Sequence, residues 1–420
     1  MTNTETTPAL TPAEDNPWYL LATLYGVPEK GDFELQKRNR IAWNRYYAHL
    51  WTAEDRERLK DVLEEMEFSK FNHIDLLKIK NLFSKRAGLR RIRMPASDEF
   101  VDLNSTFFDK KIYFEFYSLK ISFFEKSKFI DDAFFKGSLF NMGGSFASAN
   151  FSGNADFRNT FFEEDASFCG TIFSKNSYFN GTSIIKNSFF SSAEFAGSAD
   201  FSGVNIGEYA DFSHVKFADS VLFTNAEFKG NTSFEQCTFN HSPPMFHGAK
   251  LHEGTMWNQA TWPQRPKNQN EAKTFTHAYE RLKLEMDRLK KHEDELMFFA
   301  KEMECRLVKD GWIKGLPIRF YGILCNYGQS YEVPISWLLL LIVLGTLPFG
   351  PTLAWDFPHA LGVSAANTLA SLGLRKELVD AATLKQLSGW LAAFSGVQTV
   401  LGLILLFLIG LGLRNRFRMK

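Results

Sequence analysis

The chain has 420 residues, with 48 Lys and Arg against 48 Asp and Glu, so its formal net charge is zero. That balance removes the global electrostatic case for a nucleic-acid partner. The four cysteines (Cys169, Cys237, Cys305 and Cys325) are too scattered for a disulfide framework and suit a reducing compartment.

In chain order, residues 1–15 are polar, lack the apolar stretch of a signal peptide and read as a disordered tail. Residues 16–100 read as an N-terminal helical domain. Thr52 with Asp55 suggests a helix start, and a second helix is expected over Ile74–Lys85. The stretch "KRAGLRRIRM" is locally basic, which fits either a solvated face or attraction to anionic lipid headgroups.

The strongest signal lies in residues 101–263. Steps of five and six residues starting at Phe124 land on Phe129, Phe135, Phe140, Phe146, Phe151, Phe157, Phe162, Phe168, Phe173, Phe179, Ile184, Phe190, Phe195, Phe201, Ile206, Phe212, Phe217, Phe223, Phe228, Phe234 and Phe239. Two residues before each stands Ser, Ala, Gly, Thr, Val or Cys. Spacings of five and six drift around a 3.6-residue helix and break the alternation of a long strand. A pair at i−2 and i faces one way on an extended piece. Each unit is therefore a short extended segment with one small and one large side chain inward, followed by a tight turn. Gly two residues after the Phe (Gly137, Gly153, Gly170, Gly181, Gly197, Gly203, Gly230) fits turns with unusual backbone angles. Stacked Phe rings are core, because an exposed aromatic ladder exceeds what a soluble surface tolerates.

The units "AEFAG", "ADFSG" and "AEFKG" resemble those of pentapeptide-repeat proteins, in a Phe-rich variant with an eleven-residue double unit. The resemblance implies a right-handed quadrilateral β-helix with about 22 residues per coil, here about 24 Å long at the spacing of stacked strands. Upstream, Phe108, Phe114 and Leu119 continue the register while Ile112 and Tyr117 replace small partners. Downstream, after Pro243 and Pro244, it passes through Phe246 and Leu251 to Trp257 and Trp262, which read as the solenoid cap. The outward positions carry Asp131, Asp132, Glu163, Glu164, Asp165, Asp200 and Asp211. Some members of that family imitate DNA with acidic rods, but Lys136, Arg158, Lys186, Lys216 and Lys229 interrupt the acids here.

Residues 268–310 read as one long charged amphipathic helix that either packs on the solenoid or pairs with itself. Residues 311–333 mix aromatics with Lys314 and Arg319 and suit an interfacial segment in the headgroup region. The transmembrane region, 334–420, holds charge-free spans at about 335–355 and 387–413. Lys309, Lys314 and Arg319 precede the first span. Arg414, Arg416, Arg418 and Lys420 follow the second and set the orientation, with the N-terminus, solenoid and C-terminus cytoplasmic. Between the spans, 356–386 has the texture of a re-entrant pore loop, with Ser364, Asn367, Thr368 and Ser371 as candidate lining, although the filter sequence of ion channels is missing. The order of parts resembles bacterial membrane-anchored pentapeptide-repeat proteins, which implies a two-span protein of the inner membrane.

The sequence offers no catalytic motif, no cofactor-binding loop and no convincing metal site. Cys237 occupies an inward slot, His241, His247 and His252 straddle the Pro-Pro irregularity, and Glu293, Asp294 and Glu295 beside His292 suit a solvated face. The fold class expected is mixed: a β-solenoid flanked by an N-terminal α-helical domain and a C-terminal two-span helical region. The expected function is a non-enzymatic, membrane-tethered scaffold, a homo-oligomer with an unknown protein partner, no cofactor and no nucleic acid. The alternatives are a solenoid-gated channel and, more weakly, a DNA-mimicking inhibitor.

Overall fold

The computed structural model describes residues 9–60, 63–69, 72–353, 356–373 and 389–418. The chain divides into two compact units, Met1–Gln264 and Arg265–Lys420.

In the first unit, extended pieces of mostly two residues stack in parallel into four sheets, one for each side of a β-solenoid. The repeat between coils is 22 residues: Phe129 pairs with Phe151, and the series continues through Phe173, Phe195, Phe217 and Phe239. This column defines face 1. Following the chain, Phe135 lies in the column on face 2, Phe140 in that on face 3 and Phe146 in that on face 4. Along a column the rings stack, with centroids 4.4 Å apart at Phe129–Phe151 and 5.0 Å at Phe195–Phe217. Across the coil they meet edge to face, as at Phe157–Phe168 (5.2 Å, 86°). Both geometries suit aromatic quadrupoles. Ile184 and Ile206 fall together on face 3, where aliphatic side chains replace rings over two coils. The small residue at i−2 leaves room for the ring. At three of these positions a buried Thr hydroxyl donates to a carbonyl of the preceding coil: Thr160 to Phe135, Thr171 to Phe146 and Thr182 to Phe157, at 2.9, 2.7 and 2.6 Å.

The alternation of five and six residues has a backbone cause. In the five-residue corners, after faces 2 and 4, the second residue past the Phe is left-handed: Gly137, Ser148, Asn159, Gly170, Gly181, Ser192, Gly203, His214, Asn225 and Gln236 all have positive φ. The six-residue corners use an extra residue instead. The repeated glycines therefore serve two purposes. Gly203 supplies a positive φ of 66°, whereas Gly197 does not; a Cβ there would lie 2.6 Å from the backbone carbon of Lys175 one coil below.

The ends depart from the 22-residue repeat. The first full coil is one residue short, since Phe108 pairs with Phe129 and Ile112 with Ala133. The last is one residue long, since Glu227 bridges to Lys250 and Thr238 to Thr261. Trp257 stacks on Phe234 at 4.5 Å and Trp262 on Phe239 at 5.2 Å, closing two columns.

The N-terminal helices are α1 (Pro17–Ala22), α2 (Phe33–Tyr47), α3 (Ala53–Leu59) and α4 (His73–Ala87). Asn16, Asp32 and Asn72 cap α1, α2 and α4 through their side chains. The helices lie against the solenoid. Trp43 Nε1 donates to the Ser118 carbonyl at 2.8 Å, Trp51 Nε1 to Ser118 Oγ at 2.7 Å, and Tyr117 Oη to the Ala22 carbonyl at 3.0 Å. The bulky Ile112 and Tyr117 are where this cap docks. Trp51 and Leu63 pack with Leu139, and Phe68, Phe116 and Phe161 border them, so the cap also covers part of face 3. The reading of 1–15 as a disordered tail is corrected here. Thr11–Pro12 adds a parallel strand to face 1 beside Thr106–Phe107, and Ala13–Asp15 form a turn of 3₁₀ helix. Residues 1–8 lie outside the described residues.

The second unit is helical: α5 (Gln269–Arg288), α6 (His292–Lys314), α7 (Leu316–Cys325), α8 (Glu332–Gly345), α9 (Phe357–Thr368) and α10 (Gly389–Arg418). The single helix expected over 268–310 is instead a helical hairpin. The chain reverses at Leu289–Lys291, where Lys290 takes φ 57°. Two stretches are long and apolar enough to cross a membrane, Glu332–Phe349 and Gly389–Arg418. The regular helix of the first ends at Gly345 and gives way to 3₁₀ turns at Leu347–Phe349 and Pro351–Leu353, and residues 354 and 355 of the expected span lie outside the described residues.

Candidate functional site

The outer surface of the rod is built from the residues between the phenylalanines. Neighbouring coils present them 22 residues apart, so they form ladders. Lys216 pairs with Glu194 at 2.5 Å and Lys186 with Glu164 at 2.7 Å. Arg158 makes a two-point contact with the buried Asp156 and lies over the Tyr178 ring. At the six-residue corners, side chains of one coil cap the next: Asp132 Oδ1 accepts from Asn154 N at 2.9 Å, and Asp165 Oδ1 from Asn187 N at 3.0 Å. The acids weighed for DNA mimicry are thus largely engaged. Asp131 and Asp132 lie beside Lys111, Asp200 accepts from Ser202 N, and Asp211 accepts from Ser213 N. Burial pushes the Asp132 carboxyl up, but the Asn154 backbone N–H and the Lys111 contact together hold it below its ordinary pKa.

Cys237 is fully buried in its inward slot, and desolvation pushes its thiol pKa up. Cys169 is partly exposed, 3.3 Å from Ser191 Oγ on the outside of face 4. His252 Nδ1 accepts from Gly254 N at 3.0 Å in the last coil. Asp287, His292 and Glu295 bring ligand-type atoms within 4.8 Å of one another at the turn of the α5–α6 hairpin, with His292 Nδ1 3.1 Å from Glu295.

The basic stretch at the end of α4 and beyond it is mostly committed internally. Arg86 pairs with Glu14 at 2.8 Å, Arg90 with Asp15 at 3.2 Å and Arg93 with Glu99 at 2.5 Å. Those pairs weaken the lipid-binding reading of "KRAGLRRIRM".

In the hairpin, Glu302 is fully buried. It accepts from Lys283 Nζ at 2.6 Å and from Arg306 Nε at 2.8 Å. Cys305 nearby is buried, and desolvation pushes its thiol pKa up to about 12.

The apolar helices α8 and α10 enclose α9 through a polar cluster. Ser364 Oγ donates to the Ile342 carbonyl and Gln398 Nε2 to Ser364 Oγ, both at 2.6 Å, while Thr399 Oγ1 donates to the Asn367 carbonyl at 3.0 Å. Gly345 permits this approach, since a Cβ there would collide with Gln398 Nε2 and Ser364 Oγ. Ser364, Asn367 and Thr368 are all buried, while Ser371 is exposed in the following turn. Both polar atoms of the Asn367 side chain and Oε1 of Gln398 are buried without a partner. Sequence reasoning passed over Gln398 and Thr399. The available signal was their polarity within an apolar stretch. Residues 374–386 of the re-entrant-like segment lie outside the described residues. Of the orientation residues, Arg414, Arg416 and Arg418 end α10, and Lys420 lies outside the described residues.

Comparisons with protein-family models, with curated proteins and with solved structures give no match to this chain.

Proposed function

We propose that this chain is a non-enzymatic, membrane-tethered scaffold of the pentapeptide-repeat type, whose rod presents its outer ladders to a protein partner. The observation that carries this reading is the pairing, in one chain, of a rod whose inward groups are consumed by packing with two apolar helices of spanning length. Rods of stacked repeats offer long binding surfaces. The helices hold that surface at a membrane, with the rod and both termini on the cytoplasmic side and copies of the chain associating there.

The channel reading has less support. Its candidate lining residues Ser364, Asn367 and Thr368 are buried between helices of the same chain, which suits an anchor held by polar contacts. Ion flux through liposomes containing the purified chain distinguishes the two readings. The scaffold reading expects none, and flux that disappears on deleting residues 356–386 overturns it. Proximity labelling from the rod should enrich a defined partner, and enrichment should fall at least tenfold when Glu194, Lys216 and Arg158 are replaced together by Ala.

A further inference from the structure

We infer that the corner between α6 and α7, residues Lys309–Arg319, is a binding site for the phosphate headgroups of anionic phospholipids. This rests on the membrane-tether reading and adds lipid selectivity to it. α6 is interrupted at Gly311, whose φ of 75° and ψ of −167° turn the chain before α7 begins. That turn leaves Trp312 68% and Ile313 78% exposed, and Phe320 and Ile323 continue the apolar face at 59% and 57%. A soluble surface rarely carries such a stripe at helical spacing, whereas a helix lying in a bilayer interface requires one.

Charge specifies what covers the stripe. Lys309 and Lys314 flank Trp312 and help line an open cleft with Gln269, Asp310 and Ile313. Among the described residues, Lys309, Lys314 and Arg319 have no acidic side chain within ion-pair distance, whereas Arg86, Arg93, Lys186 and Lys216 of the first unit each have one. The Arg319 guanidinium is held 4.4 Å from the centre of the Trp312 ring, and its buried Nε has no hydrogen-bond acceptor. With the Arg319 guanidinium fixed on the indole, its terminal N–H groups, which have no acidic partner among the described residues, are the donors preorganised for a phosphate oxygen. Trp337, whose Nε1 donates to the Ile323 carbonyl at 3.0 Å, ties the end of α7 to the first span helix. The cationic corner is thereby placed at the start of that span, where headgroups lie.

The test uses the full chain purified in detergent and native mass spectrometry with added phosphatidylglycerol or phosphatidylcholine. Wild type should retain phosphatidylglycerol at least tenfold more than phosphatidylcholine. The triple variant K309Q/K314Q/R319Q should lose that preference, and Arg319→Lys should weaken it severalfold. A Lys216→Gln variant on the rod should leave it unchanged and controls for general loss of charge. Equal retention of the two lipids by wild type, an undiminished preference in the triple variant, or displacement by millimolar inorganic phosphate would each overturn the inference. Alkaline carbonate extraction of native membranes separates the two levels. If the wild-type chain is extracted, the tether reading itself fails; if it stays in the bilayer while the lipid preference is absent, only the lipid site fails.

Discussion

Phe201 has no exposed surface and sits between Phe179 at 4.8 Å and Phe223 at 5.2 Å, with Phe190 and Phe212 edge-on. Truncating it leaves a hole that rings fixed from above and below cannot fill. Phe201→Ala should therefore lower unfolding stability by about 3–5 kcal/mol, measured by chemical denaturation. The two kinds of corner glycine should respond differently. At Gly203 the nearest atom to an added Cβ is 3.8 Å away, so Gly203→Ala incurs only left-handed strain, about 1 kcal/mol. Gly197→Ala forces the coil below to move and should cost more than Gly203→Ala. The cysteines report the same register without mutation. Cys169, on the outside, should react with a maleimide in the folded protein, while Cys237, buried with a raised thiol pKa, should react only on unfolding. Peptide mass spectrometry before and after denaturant reads both.

At the scale of elements, the rod and the helices differ in how far sequence reveals them. The Phe register was legible because one periodic rule governs 22 positions and packing tolerates no polar intruder. The left-handed five-residue corner was half-hidden, because Ser192, His214 and Gln236 adopt the conformation that glycine adopts elsewhere. The cap was hidden because its contacts join residues far apart in sequence, such as Trp43 with Ser118 and Asn44 with Phe116. The hairpin turn was hidden because Leu289–Lys291 contains neither Gly nor Pro. Its charge pattern, however, now has a structural meaning: Glu302 of α6 accepts from Lys283 of α5 and Arg306 of its own helix. Glu302→Ala should leave two partly exposed cations without their shared acceptor and destabilise the hairpin by about 1–3 kcal/mol, read by thermal unfolding. In the apolar helices of the second unit, the hydroxyls and amides of α9 were visible in the sequence, but their partners on α8 and α10 were not, because apolar periodicity does not specify which faces meet.

At the scale of the molecule, each half of the chain has a physical requirement of its own. The rod must shield the two open ends of its core, and it does so with helices at one end and two tryptophans at the other. The helical unit leaves Leu339, Val343, Leu344, Leu403 and Phe407 exposed, surface that a bilayer would cover. Membrane tethering of the rod is therefore the central claim, and topology tests it most directly. Single cysteines are introduced at Asn3, Lys376 and Lys420 in a background lacking the native ones and are labelled with an impermeant reagent in intact cells and in inverted vesicles. The account predicts that Asn3→Cys and Lys420→Cys label together from the cytoplasmic side and Lys376→Cys from the opposite side. Labelling of all three from one side would contradict it.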